Sequence, residues 1–341
     1  MNLLLSDEQQ MIADAIGDVL LQEYPLDRLH GGSATMAPNQ WQQIAELGWL
    51  GLGLDDGVGG VGYGLAEEML LCRASQRHLL SPSLLAAILG AHVAAVNAPE
   101  AVAGIVAGET TVALAVPRKP VSLLEDLLDV ELLLIDPENA EYVLLWDTEA
   151  AVMLSASQLK QVAVAGVDNS IGLSVASGSV APFVRATRGE ADIYARALVL
   201  LAAMETGLAE GVRDMAVDYA KVREQFGQAI GAFQAIKHAC ADMACRVEAA
   251  DCQLRMAVVS QSSGETDLLV QAAAARLLAG EAARENATRN IQVHGAMGYT
   301  AECNAHWFLK RARLLEQVSA PPRHLQRHVL GLPVGRFESV G

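Results

Sequence analysis

Four helix-length apolar periodicities fill the second half of this 341-residue chain, and they constrain its fold more than any other feature. They run over 190–221, 228–261, 266–293 and 300–318, with a shorter one beyond Pro322. Each exceeds about 18 residues and the connections are short, which an antiparallel helix bundle satisfies. Before them the texture is different. "TTVALAV", "ELLLID", "EYVLLWD", "VAVAGV" and "GLSVAS" are short β-compatible runs separated by Pro, Asp, Asn and Gly, enough for five to seven strands. Within this region "SLLEDLLDVELLL" also reads as partly helical. The first 110 residues return to helix. The expected fold is mainly α with a small β domain: a helical domain over 1–110, a β domain over 111–185 and the bundle over 186–341. Hydrophobic residues make up 52% of the chain and aromatics only 4%, consistent with helices rich in Ala and Leu.

Local signals refine the amino-terminal part. Ser6 and Gln9 form a capping-box start for a stripe of Met11, Ile12, Ala15 and Val19. Asn39 is the expected cap of "QWQQIAELGW", which Gly48 can end, and Pro82 and Pro99 each open a further helix. "MNLLLSDEQQM" lacks a basic segment, and Asp7 and Glu8 interrupt its apolar run, so no signal peptide is expected. Leu79–Val96 contains Pro82, Ser83 and His92 and makes a poor membrane span. Five cysteines without a paired framework or ligand spacing predict a reduced, cytoplasmic setting and no metal. Cys245 and Cys252, one heptad apart, are expected to share a helix face as small apolar residues. A net charge of −16 argues against nucleic-acid binding. Against that background Lys310, Arg311, Arg313, Arg323, Arg327 and Arg336 form a basic edge, which either meets an anion or pairs with acidic neighbours.

Two glycine-bearing segments carry chemistry and one does not. Gly57 to Gly62 matches GxGxxG, but a helix precedes it and the position where an acid is wanted holds Pro82, so it reads as a tight loop. "VREQFGQAIGAFQ" reads as a helix end, a turn at Gly227 and re-entry into helix near Phe233. There Arg223 can grip a pyrophosphate, Phe226 can cover a ring and Gln234 can bond a nucleotide edge; equally, Arg223 can be a favourable cation at a helix C-terminus. "NIQVHGAMGYTAE" runs a helix into a Gly-rich turn, where Gly295 and Gly298 let backbone approach a ligand and Gln292 and His294 present polar groups.

Together these segments resemble the acyl-CoA dehydrogenase family, whose bundle carries an R-x-x-F-G…Q corner and a later Q-x-x-G-G-x-G turn. Here they read Arg223, Phe226, Gly227 and Gln234, then Gln292, Gly295, Ala296 and Gly298. "AELGWLGLGLDDGVGGVG" adds to the likeness, which covers the first 110 and last 150 residues. The resemblance implies an α domain, a β-barrel-like domain and a four-helix bundle, assembled as a tetramer. It implies FAD as cofactor, with these two motifs holding the ADP portion of a flavin whose ring lies in a neighbouring subunit. The implied reaction is α,β-desaturation of an acyl-CoA, in which a carboxylate of raised pKa removes the α-proton.

That carboxylate is missing from both places where the family keeps it. One is occupied by Ser319, in Ser319-Ala320-Pro321, and the other by Ala197. The family's T-E-P…G-S-D segment is replaced by "PRKPVSLLEDLL". Glu205, among apolar residues in "LVLLAAMETGLAEG", is a fallback base, or else an acid facing solvent or an interface. Three readings follow. The chain is the degenerate subunit of a heterotetramer, resembling those of steroid side-chain degradation, and supplies its FAD corner to a catalytic sister chain; or it is a self-sufficient homo-oligomeric dehydrogenase with an unorthodox base; or it is an assembly scaffold that binds no flavin.

Overall fold

A computed structural model describes residues 3–31, 34–262 and 268–331. Helix α1 (Asp7–Glu23) starts as its sequence dictates: the Ser6 hydroxyl accepts the Gln9 N–H and the Gln9 side chain accepts the Ser6 N–H, both at 3.1 Å. Helix α2 (Pro38–Glu46) departs from expectation. Its cap is Ala37, whose N–H is accepted by the Gln40 side chain at 2.9 Å, because Pro38 presets the first helical turn and takes Asn39 inside. Gly48 ends this stretch in the left-handed region. The glycine-rich segment is a closed loop around a 3-10 turn at Asp56–Val58, with no strand before it. Helices α3 (Leu65–Arg77), α4 (Ser83–Asn97) and α5 (Pro99–Val106) complete the amino-terminal layer.

Seven strands follow: β1 (Val112–Pro117), β2 (Leu128–Ile135), β3 (Tyr142–Trp146), β4 (Ala150–Ser155), β5 (Lys160–Val164), β6 (Leu173–Val180) and β7 (Val184–Thr187). They form one sheet in the order β5-β6-β2-β1-β3-β4-β7, antiparallel except for the parallel β1–β3 pair. The ambiguous "SLLEDLLDVELLL" resolves into turns leading to β2. Side chains alternate between two cores, as strand periodicity requires. Leu144 and Met153 join the core shared with the helices, whereas Leu145, Val152 and Leu154 point into a smaller core of the sheet's own. Helix α4 packs on β1 and β7 and couples the sheet to the amino-terminal layer.

The bundle begins with α6 (Ile193–Val222), capped by Asp192 Oδ1 accepting the Ala195 N–H at 3.0 Å. A two-residue ribbon, β8 (Glu224–Gln225) and β9 (Gln228–Ala229), leads into α7 (Gln234–Ser262), which therefore starts later than the periodicity suggests. Helix α8 (Leu268–His294) antiparallels it, followed by α9 (Ala305–Leu315) and α10 (Pro322–Leu330). At 11 residues α9 is shorter than the expected 300–318, because turns occupy both ends of that stretch. Helix α6 packs against α7, α8 and α3. At the α3 crossing, a Cβ on Gly207 would stand 1.9 Å from the Arg73 carbonyl oxygen, so only glycine permits this approach.

Buried ion pairs lock the layers. Arg73 on α3 pairs with Glu210 on α6 and, at 2.6 Å, with Asp251 on α7. Arg311 on α9, 1% exposed, donates to Asp168 at 2.8 Å, to the Leu80 carbonyl at 2.6 Å and to the Gln76 side chain at 3.1 Å. The basic edge is thereby divided: Arg311 is a buried staple, Arg313 pairs with Glu316, and Lys310 sits over Trp307. Arg323 and Arg327 stay exposed on α10, while Arg336 lies outside the described residues. Cys245 and Cys252 share a face of α7 as expected, but that face is exposed rather than apolar core. Among the described residues no helix is long and apolar enough to cross a membrane, and no group of His, Cys, Asp or Glu is placed to hold a metal ion.

Candidate functional site

The corner after α6 is built by its turn. Phe226 (φ +53°) and Gly227 (φ +79°) both occupy the left-handed region between β8 and β9, the conformation of a tight two-residue hairpin. Glycine adopts it freely, whereas for phenylalanine it costs about 1–2 kcal/mol. The strained Phe226 is also 93% exposed, and its ring meets the edge of Phe233 at a 6.0 Å centroid distance. Arg223, the C-cap of α6, is exposed, and its guanidinium meets no acceptor among the described residues. Gln234, the first residue of α7, is exposed nearby in sequence.

The second turn lies at the same end of the bundle. Helix α8 ends at His294, Gly295 turns left-handed (φ +62°) and a 3-10 turn spans Gly295–Tyr299. Gln292, Gly295 and Ala296 are exposed, while His294 is buried. His294 donates from Nδ1 to the Asn290 carbonyl at 2.9 Å, and its ring stacks on Tyr219, 4.1 Å between centroids and 20° from parallel. Burial holds its pKa below the usual imidazole value. Tyr219 precedes Arg223 by one turn of α6, so this stack fixes the two motifs relative to each other. Its contribution escaped the sequence reading, although the four-residue spacing from Tyr219 to Arg223 was there to be read.

A separate cleft of about 660 Å³ opens between the end of β1, the β3–β4 turn, the start of α6 and the segment from Ser319 to His328. Ser319 adopts a left-handed backbone (φ +70°); its buried hydroxyl lies beside the Tyr194 phenol without a well-formed hydrogen bond. Among the described residues one carboxylate lines the cleft, Asp147. Its Oδ1 already accepts the backbone N–H groups of Glu149 at 2.7 Å and Ala150 at 2.9 Å, which makes it a turn former.

Sequence models of the acyl-CoA dehydrogenase N-terminal domain and C-terminal domain match residues 6–104 and 195–318, together well over half of the chain. The chain belongs to the acyl-CoA dehydrogenase family. It is similar to the acyl-CoA dehydrogenase FadE34 of Mycobacterium tuberculosis, with 48% identity over 117 residues; that match spans 34% of this chain and 16% of the relative. In three dimensions it is similar to the ChsE4-ChsE5 complex of M. tuberculosis, with a TM-score of 0.82 and 19% identity over 98% of this chain and 100% of the other. A steroid ACAD variant, Tcur3481-Tcur3483, matches with the same TM-score and 19% identity over 95% and 97%. The fold is that of an acyl-CoA dehydrogenase: a helical domain, a central sheet and a helical domain.

Within this acyl-CoA dehydrogenase fold the positions read as base sites hold no acid. Ala197 is fully buried on α6, and Ser319 lines the cleft. Glu205 is neither solvent-facing nor in that cleft. It is 1% exposed inside the bundle and paired with Arg276 of α8, whose Nη2 also donates to the Leu315 carbonyl at 2.7 Å. Burial pushes the Glu205 carboxyl up to about 7, with Arg276 opposing the shift. Its environment is that of a tuned acid, but α8 closes over it.

Proposed function

We propose that the chain is an FAD-dependent acyl-CoA dehydrogenase subunit that supplies the ADP-half of a flavin site to a catalytic partner and leaves proton abstraction to that partner. The observation carrying this reading is the strained, exposed corner of Phe226 beside an Arg223 that meets no acceptor among the described residues. A backbone conformation that costs stability and exposes an aromatic ring persists where binding compensates it.

The residues fit the nucleotide half of FAD. Arg223 would take the pyrophosphate through its fork of N–H donors, Phe226 would cover a ring face, and Gln234 and Gln292 would bond polar edges. Gly295 and Ala296 would admit the ligand close to backbone. FAD, when bound, supplies acceptance of the substrate's β-hydrogen as hydride. The α-proton needs a carboxylate at the substrate; an alcohol at Ser319 and a methyl at Ala197 do not take it, and Asp147 is engaged in its turn. The closure of α8 over Glu205 weighs against a self-sufficient enzyme that uses this acid.

The acyl group is inferred to be a steroid side-chain thioester and the assembly a heterotetramer, on the similarity to the steroid ACAD and to the two-component ChsE4-ChsE5 complex. The test is purification of the chain alone and with a candidate catalytic acyl-CoA dehydrogenase chain. The expected result is a colourless, inactive chain alone and a flavin-bearing, active complex that loses FAD when Arg223 and Gln292 are both changed to Ala. Flavin and turnover in the isolated chain would refute the division of labour; full FAD occupancy in the double variant would favour a scaffold.

A further inference from the structure

We propose that the groove between the last turns of α1 and α2 is a binding site for a short alkyl diammonium ligand. Three observations converge on it. First, both helices end there with an unfavourable charge. A helix C-terminus carries a partial negative charge that a cationic side chain ordinarily offsets. Here neither last turn holds a basic residue, and each helix instead ends on a carboxylate, Glu23 and Glu46, that lines the groove. Neither carboxylate has an ion-pair partner among the described residues. Second, Tyr24 is 3% exposed, lines the groove, and its hydroxyl is buried with no hydrogen-bond partner among the described residues. A buried polar group left unpaired is costly unless a ligand or solvent atom completes it. Third, the lining between these polar groups is apolar, made by Val19, Ile44 and Leu47, and Leu47 remains 48% exposed.

The nearby cations do not neutralise the site. Arg28 lies 5.8 Å over the Tyr24 ring, but its guanidinium donates to the carbonyls of Tyr24, Pro25 and Leu79 at 3.1, 3.0 and 3.0 Å. His78 likewise donates from Nδ1 to the Tyr24 carbonyl at 3.3 Å. Both hold backbone at the end of α1, and neither lines the groove. The remaining lining side chains, Gln22 and Gln43, are neutral. Carboxylate, amide and phenol oxygens all accept hydrogen bonds, so the set selects a cation that carries several N–H donors, as a primary ammonium does. Apolar walls beside two carboxylates suit an alkyl spacer, whose methylene groups leave water on binding. The groove encloses about 250 Å³. At about 30 Å³ for each water-sized group, that is room for about eight non-hydrogen atoms, enough for a short diamine and too little for a nucleotide. A bare divalent metal ion is a poorer match, since it seeks more oxygen ligands than two carboxylates on apolar walls supply. The inference does not depend on the flavin corner, because its residues all belong to the amino-terminal layer.

The test titrates the full chain with putrescine at low ionic strength, followed by calorimetry and by thermal melting. Saturable binding that weakens as salt rises is expected, with a melting temperature that climbs with ligand concentration. Changing Glu23 and Glu46 together to Gln should weaken binding at least about tenfold, the loss of one charge-assisted contact. Without ligand that variant should melt no lower than the parent chain, because each change removes a negative charge from a negative helix end, so its weaker binding is not a consequence of unfolding. Tyr24→Phe keeps the ring and should weaken binding about two- to tenfold, the range of one neutral hydrogen bond. Fully N-methylated putrescine keeps the charge but has no N–H, and should bind at least about tenfold more weakly than putrescine. Asp242→Asn, a change at an exposed acid on α7, should leave binding as it is in the parent chain. Absence of saturable binding, unchanged affinity in the Glu23, Glu46 variant, or equal affinity for the methylated probe would each overturn the proposal.

Discussion

Two arginines summarise how differently the two ends of this bundle are built. Arg276 lies 5% exposed in the interior, with one guanidinium nitrogen paired with Glu205 and another bonded to the Leu315 carbonyl. Arg223 stands exposed at a helix end beside a phenylalanine held in an unfavourable backbone conformation. The first arginine is spent on the fold; the second is available to a ligand. Charge alone does not mark a functional residue, and the accounting of its partners does.

The sharpest way to break the comparison is to truncate Arg276. Arg276→Ala leaves the Glu205 carboxyl buried without its partner and is expected to cost about 3–5 kcal/mol in a urea unfolding experiment. A loss no larger than that of an exposed site would mean that the pair is not closed off as described. A second, smaller effect concerns pH. Folding raises Glu205 from 4.5 to about 7, so the folded state holds its proton more tightly than the unfolded state does. This contribution to stability is fully present below 4.5 and is lost as pH rises through 7. The stability of the parent chain should therefore fall relative to that of Glu205→Gln between pH 5 and 8; a difference constant across that range would remove Glu205 as the titrating group.

At the exposed end the stability effects shrink while binding effects grow. Phe226→Gly relieves the positive-φ strain and gives up the edge contact with Phe233, so stability should change by less than about 1 kcal/mol in either direction. FAD retention by the complex should nevertheless fall, which a spectrophotometric count of flavin per complex measures. Arg223→Ala should be smallest of all in stability, within about 0.5 kcal/mol. Its flavin loss should be at least as large as that of Phe226→Gly, and a stable, fully flavinated Arg223→Ala complex would show that the corner holds nothing.

Much of the architecture was legible because it rests on periodicity. The long apolar stripes of α6, α7 and α8 and the alternation in β3 and β4 are local patterns, as are the Ser6 cap and the glycine stops. What failed to show depended on geometry over a few residues or on distant partners. The turn at Gly227 was legible, but the ribbon at 224–229 was not, because it also needs Phe226 in the left-handed region. Asn39 looked like a cap until Pro38 moved the helix start. Glu205 was visible as an acid in apolar surroundings, but Arg276, 71 positions later, was not assignable as its partner. Likewise Lys310 to Arg336 read as one basic edge, although Arg311 turns inward to Asp168 and Arg323 lines a cleft whose tryptophan comes from β3.

The missing methyl at Gly207 has a mechanical consequence. With the backbones of α3 and α6 in direct contact there, no compliant side chain lies between them to absorb a shift. Helix α6 is a rod of 30 residues, about 45 Å long, and its far end bears the Arg223 corner. A shift of the amino-terminal layer at this crossing would bear directly on the backbone of the helix that ends in the Arg223 corner.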